Sequence, residues 1–143
     1  MSNVLEKIIN DKILSLDLKY MENIKNVSFI QSNFLDTETK KKILTFFTEK
    51  LDVILSDMAA NTTGNKSLDC IRTNQLCANV INFSSEILKS NGVLVSKIFM
   101  GEDFIEVKEL AKSKFKKVQF FKPEASRGES KETYLHCTLL KTL

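Results

Sequence analysis

The sequence predicts an α/β protein, a three-layer sandwich in which helices cover both faces of a largely parallel sheet. Three observations predict it. Strand-like and helix-like segments alternate along all 143 residues. Short continuous apolar runs, such as the VIL of Val53–Leu55, have the character of strands buried on both faces. The segments between them place apolar residues at helical spacing.

Lys12–Asp17 (KILSLD) reads as a short strand that closes on an acid, and Val27–Phe34 (VSFIQSNF) as a second strand. Thr37–Lys50 has helical spacing in Ile43, Leu44 and Phe47, with Thr37 placed to cap it. Leu51–Asp57 (LDVILSD) is a third strand, doubly buried by its apolar core. Ala59–Asn65 is a polar loop containing Gly64. A long helix then runs from about Ser67 to Lys89 and is expected to end at Asn91–Gly92. Gly92–Phe99 (GVLVSKIF) is another buried strand, and Asp103–Phe115 an amphipathic helix. Lys117–Phe121 and Lys131–Thr138 read as two closing strands around the loop KPEASRGES. With no repeat, low-complexity tract or linker, residues 1–143 are expected to form one domain.

Composition narrows the class. No apolar run approaches the roughly 18–20 residues of a membrane span. MSNVLEKIINDK mixes acids and amides with its aliphatics, unlike a signal peptide. A cytoplasmic chain without a membrane partner is expected. The three cysteines, Cys70, Cys77 and Cys137, are odd in number and form no C-x-x-C pair. That argues against a disulfide framework and a zinc site, and for buried reduced thiols and no metal. The net charge of +3 is unevenly spread. Residues 108–143 hold nine Lys/Arg and four Asp/Glu, against twelve and fourteen before them. A basic C-terminal quarter suits a polyanionic partner, or is simply a solvated lysine face.

Three charged residues fall on strands where packing alone would not choose them. Asp57 closes a buried strand, Lys97 lies inside GVLVSKIF, and Glu132 opens the last strand. Strand ends in such sheets gather functional residues at the carboxyl edge. A lysine beside Val95, Ile98 and Phe99 loses hydration, which favours the neutral amine, while a nearby carboxylate favours the ammonium. Unpartnered burial is costly, so Lys97 is expected to meet Asp57 and Glu132. Periodicity leaves open a structural ion pair or a lysine that reaches water from an edge.

Three words stand in order: LSDMAANTTGN, VSKIF followed by GEDF, and FFKPEASRGESKETYL. Together they resemble the FtsJ/RrmJ family of ribosomal RNA 2′-O-ribose methyltransferases, and the resemblance is strongest from Leu51 to Tyr134. Within the family the chain looks most like the bacterial and organellar type that methylates a uridine of large-subunit ribosomal RNA. The resemblance implies a Rossmann-like fold and S-adenosylmethionine as cofactor. It also implies ribosomal RNA or the large subunit as partner, acted on by a monomer. The family uses a Lys-Asp-Lys-Glu tetrad around the ribose hydroxyl; Asp57, Lys97 and Glu132 match its last three members. Asp17 matches an acid that holds the cofactor ribose. Asn33 stands where the family often has an aspartate near the adenine, and Asp57 also borders the cofactor. A base beside the 2′-hydroxyl makes chemical sense, because that hydroxyl must lose its proton as it is methylated.

The family's first lysine and its glycine-rich loop, which cradles the methionine end of the cofactor, have no counterpart here. Pro123 is the only proline, and Gly64, Gly92, Gly101 and Gly128 form no such loop. The resemblance therefore implies a shortened copy that lacks the first, central strand and binds cofactor weakly or not at all. An alternative function is a non-catalytic RNA-binding or ribosome-associated remnant. A plain dinucleotide-binding fragment is disfavoured, since no G-x-G-x-x-G follows a strand. Lys122, Arg127 and Lys131 can grip RNA phosphates or stabilise their own loop. His136 reads as a packed or edge residue, and Phe115, Phe120 and Phe121 as core.

Overall fold

The computed structural model describes residues 12–122 and 132–142. Strands and helices follow one another in the predicted order, with shifted boundaries. The chain divides into two units, Met1–Glu49 and Lys50–Leu143.

In the first unit, β1 (Ile13–Asp17) and β2 (Val27–Gln31) pair in parallel, from Ile13 opposite Val27 to Asp17 opposite Gln31. β2 stops three residues short of the expected Phe34, because the next residues turn. Asn33 Oδ1 accepts from the Leu35 amide at 3.0 Å, and the Asp36 amide donates to the Asn33 carbonyl. This is an Asx turn, in which a side chain offers the backbone an alternative to the sheet. Helix α1 (Thr37–Phe46) follows, shorter than the expected Thr37–Lys50. Its N-cap position is Asp36, not Thr37, and Phe47 already has extended backbone. Thr39 and Ile43 on α1 are buried, as is Phe34.

The second unit contains β3 (Leu51–Ser56), α2 (Lys66–Ile87), β4 (Leu88–Phe99), α3 (Phe104–Lys114), β5 (Phe115–Phe121) and β6 (Glu132–Leu140). The sheet order is β3-β4-β6-β5. β3 and β4 are parallel, whereas β6 is antiparallel to both β4 and β5. One reversed strand therefore sits within an otherwise co-directional sheet, a common arrangement in mixed α/β folds.

α2 buries Cys70, Thr73, Asn74, Cys77, Val80, Ile81, Ser84 and Ile87. Their spacing of three and four residues makes one stripe. β4 alternates beneath the helices: Leu94, Ser96 and Ile98 are buried, while Val93, Val95, Lys97 and Phe99 point to the other face. Ile81, Leu94, Ile98 and Leu135 have no exposed surface. Each such side chain contributes roughly 1.5–3 kcal/mol of burial. All three cysteines are free and buried. Burial pushes the Cys77 thiol up to about 11, against a partly offsetting hydrogen bond with Ser96, and the Cys137 thiol up to about 12. No described helix is long and apolar enough to cross a membrane.

Two expectations are corrected here. α2 ends at Ile87 and passes directly into β4, so Asn91–Gly92 lies inside a strand rather than capping a helix. Gly92 serves a close approach instead: a Cβ there would meet Leu88 Cδ2 at 2.9 Å and the carbonyls of Lys89 and Asp52 at 3.0 and 3.2 Å. β3 is also not buried on both faces. Val53 is 54% exposed and Leu55 74%. Among the described residues β3 has one strand neighbour, β4, and β1 has one, β2. An apolar run gains two-sided burial only where both neighbours and both layers are present.

Candidate active site

The carboxyl ends of β3, β4 and β5 and the start of β6 meet at one rim of the second unit's sheet. Register dictates this. β6 runs against β4, so its first residue, Glu132, pairs with Phe99 at the end of β4, and Tyr134 pairs with Lys97. Asp57 follows Ser56, which pairs with Ser96, so it falls beside Lys97 on the other side.

At this rim Lys97 Nζ stands 3.1 Å from Asp57 Oδ1 and 3.7 Å from Glu132 Oε2. The Lys97 side chain is only 13% exposed, whereas that of Asp57 is 73% exposed. An almost buried ammonium thus faces two carboxylates open to solvent on their far sides. The meeting of Lys97 with both acids, expected from desolvation, is present.

Tyr134 completes the cluster and was not singled out in the sequence. Its hydroxyl donates to Asp57 Oδ1 at 2.5 Å and lies 3.2 Å from Glu132 Oε1. Burial alone would raise the Asp57 carboxyl; the Tyr134 hydroxyl and the Lys97 ammonium together outweigh it and hold the carboxyl below its ordinary value. The Tyr134 phenol is pushed well above its ordinary value, first by its hydrogen bond to Asp57. The available signal was periodicity: Glu132 and Tyr134 are two apart on a strand and so share a face.

Two anchors hold the rim. Asn74 on α2 is fully buried. Its amide nitrogen donates to the Phe99 carbonyl at 2.9 Å and to Asp103 Oδ1 at 2.8 Å, and its oxygen accepts from the Phe99 amide at 2.8 Å. It ties the end of β4, two residues past Lys97, to the helix layer. A polar residue within the apolar stripe Cys70–Cys77 was the signal for it. The loop after Asp57 is held by Thr73, whose hydroxyl accepts from the Ala60 amide at 3.0 Å, and by Asp69, whose carboxylate accepts from the Thr63 amide and hydroxyl. Asn65 caps α2 by accepting from the Leu68 amide.

The other expected residues are placed as follows. Asp17 ends β1 and is exposed; its Oδ1 accepts from the Lys19 amide at 3.0 Å. Asn33 lies just past β2, exposed, with its oxygen engaged in the turn to Leu35. Both therefore stand at the carboxyl edge of the first unit's parallel pair. Lys122 is exposed just beyond β5, whereas Arg127 and Lys131 lie outside the described residues. His136 is half-buried on β6. Phe115 is core at 1% exposure, and Phe120 tilts against Phe104 at 4.9 Å. Phe121 departs from the core reading: it is 47% exposed and stacks on Tyr134, centroids 5.7 Å apart. Among the described residues no group of three His, Cys, Asp or Glu is placed to hold a metal ion.

The profile of the FtsJ-like methyltransferases matches residues 1–139. Ribosomal RNA large subunit methyltransferase E of Pelagibacter ubique is 47% identical over 130 residues, covering 91% of this chain and 64% of that protein. Its namesake in Rickettsia akari is 42% identical over 127 residues, covering 89% and 56%. The chain thus spans between half and two thirds of the length of these relatives. Among solved structures, a ribosomal RNA methyltransferase from Plasmodium falciparum superposes with a TM-score of 0.81 at 26% identity, covering 97% of this chain and 79% of that one. Human methyltransferase-like protein 13, solved with SAH, gives 0.64 at 13% identity, covering 95% and 67%; at that identity it supports the Rossmann-like fold alone.

Proposed function

The chain belongs to the FtsJ-like methyltransferase family, and we propose that it takes part in moving a methyl group from S-adenosylmethionine to a ribose 2′-hydroxyl, on a uridine of large-subunit ribosomal RNA. The single observation that carries this reading is the convergence of Lys97 with Asp57 and Glu132, 3.1 and 3.7 Å away, from three separate strands.

S-adenosylmethionine, when bound, supplies an electrophilic methyl group. The chain's own residues then have definable tasks. Lys97, in its neutral form, accepts the proton that leaves the ribose hydroxyl as the new O–C bond forms. Asp57 and Glu132 receive the resulting ammonium and aim it, so that no charge is left unpaired in a half-buried place. Tyr134 fixes the Asp57 carboxylate through its short hydrogen bond. Fixed geometry of this kind is worth several kcal/mol when reacting atoms must be held nearly in line.

The donor set suits the nucleoside end of the cofactor. Asp17 keeps one carboxylate oxygen beyond its bond to the Lys19 amide, as a ribose diol requires. Asn33 commits its oxygen to Leu35, which leaves its amide nitrogen to donate to a ring nitrogen of adenine. Lys122, Arg127 and Lys131 serve as phosphate contacts in this reading, in keeping with the basic C-terminal quarter. The protein works in the cytoplasm on ribosomal RNA, as a monomer.

The test is transfer of labelled methyl to large-subunit ribosomal RNA by the protein and by its Lys97→Ala variant. Label on the ribose that vanishes with Lys97 supports the reading. RNA binding without any transfer supports a non-catalytic RNA-binding protein instead.

A further inference from the structure

Register places three side chains in one row across the sheet: Lys97 on β4 pairs with Tyr134 on β6, which pairs with Phe121 on β5. Asp57 extends the row past β4. The row therefore runs from the ion-paired cluster to an aromatic ring that is 47% exposed. Phe121 lies over Tyr134 at 5.7 Å with an interplanar angle of 21°. One ring face is taken by the tyrosine, and nearly half of the residue's surface stays exposed.

Phe121 is not a failed core residue. Its neighbour Phe120 points to the opposite face, where it packs on Phe104. The face that Phe121 occupies also carries Gln119 and Lys117, both exposed, at two-residue intervals along β5. An aromatic ring, an amide and an ammonium on one strand face make a pattern that suits a nucleic acid strand. Bases stack on aromatic rings, and lysines take phosphates. Adjacent strands are about 4.8 Å apart, so Phe121 lies roughly 10 Å from Lys97 along the row. One ribose with its own or its neighbour's base can bridge that gap.

We propose that Phe121, supported by Tyr134, is the stacking platform for an unpaired nucleobase within one residue of the reacting ribose. This rests on the ribose-methylation reading for what lies at Lys97. It assigns to Phe121 the choice of an unstacked, single-stranded target over a duplex, because a paired base presents no free face. Stacking tolerates any base, so the platform selects accessibility rather than sequence.

The chain contains no tryptophan, so Phe121→Trp introduces a single reporter. The full chain is titrated with a uridine-containing single-stranded RNA oligonucleotide and with the same oligonucleotide abasic at its centre. The expected result is indole quenching by the first and little by the second, and tighter binding of the first by wild type. Phe121→Leu, which keeps apolar bulk without a π face, is expected to bind the intact oligonucleotide about tenfold more weakly. Circular dichroism establishes that it folds, and Phe121→Tyr is expected to bind as wild type does. Equal binding by wild type and Phe121→Leu, equal affinity for intact and abasic RNA, or no RNA binding by wild type overturns the proposal. Lys97→Ala separates it from the methylation reading. Methyl transfer by wild type alongside normal RNA binding by Phe121→Leu sinks the platform alone. Base-dependent quenching with no methyl transfer leaves the platform and sinks the enzyme.

Discussion

The Tyr134 hydroxyl donates to Asp57 Oδ1 across 77 residues of sequence, at 2.5 Å. The same oxygen, Oδ1, also stands 3.1 Å from Lys97 Nζ, so one carboxylate oxygen serves both a phenol and an ammonium. Tyr134 thereby sets where the Asp57 charge lies and how firmly it is held.

Removing that hydroxyl is expected to raise the Asp57 carboxyl. Burial raises it, and Tyr134 is the largest influence that lowers it. Because the folded-state value lies below the ordinary one, Asp57 stabilises the native state at neutral pH, and this contribution fades as pH falls through the lowered value. In Tyr134→Phe the folded value moves back toward the unfolded one, so Asp57 contributes less at neutral pH and less is lost on acidification. A carboxyl-carbon NMR titration of both proteins checks this; an unmoved Asp57 midpoint refutes it.

Lys97→Ala is expected to lower methyl transfer by roughly 10²–10⁴-fold, the usual worth of a positioned proton acceptor. Lys97→Arg is expected to fail almost as badly, since a guanidinium stays protonated. RNA affinity, read by the same oligonucleotide titration, is expected to change much less than turnover. A variant with full turnover would remove Lys97 from the chemistry.

Asn74→Ala is expected to destabilise the fold by about 2 kcal/mol or more, because the Phe99 amide and carbonyl lose a buried partner. Urea unfolding measures it. A loss below about 0.5 kcal/mol means that water or a neighbour replaces the amide.

Cys77 and Cys137 are expected to resist alkylation at pH 8, their thiols being held protonated up to about 11 and about 12 by burial. Unfolded thiols ionise near pH 9, so stability is complete below that pH and declines from pH 9 through those values. Mass spectrometry after timed iodoacetamide treatment, with and without denaturant, reads the contrast. Labelling of both in the folded protein at the unfolded rate contradicts their burial.

The alternation of elements was legible because period-two and helical patterns are local properties of the chain. β1, α3 and the Asp57–Lys97–Glu132 cluster followed from such patterns together with the family words. The limits of β2 and α1 were not legible, since an Asx turn at Asn33 competes with strand continuation over a few residues. Nor was the passage of α2 straight into β4, where the apolar spacing suits either element.

By itself the sequence determined the order of strands and helices, which acids and lysine cannot rest unpaired, and which family the chain resembles. Those follow from local periodicity, from the cost of desolvating charge, and from words of residues in fixed order. Only the tertiary structure decided that β6 inserts between β4 and β5, and that this register lines Tyr134 and Phe121 up with Lys97. Pairing register joins residues far apart in the chain, and no local pattern encodes which strand lies beside which.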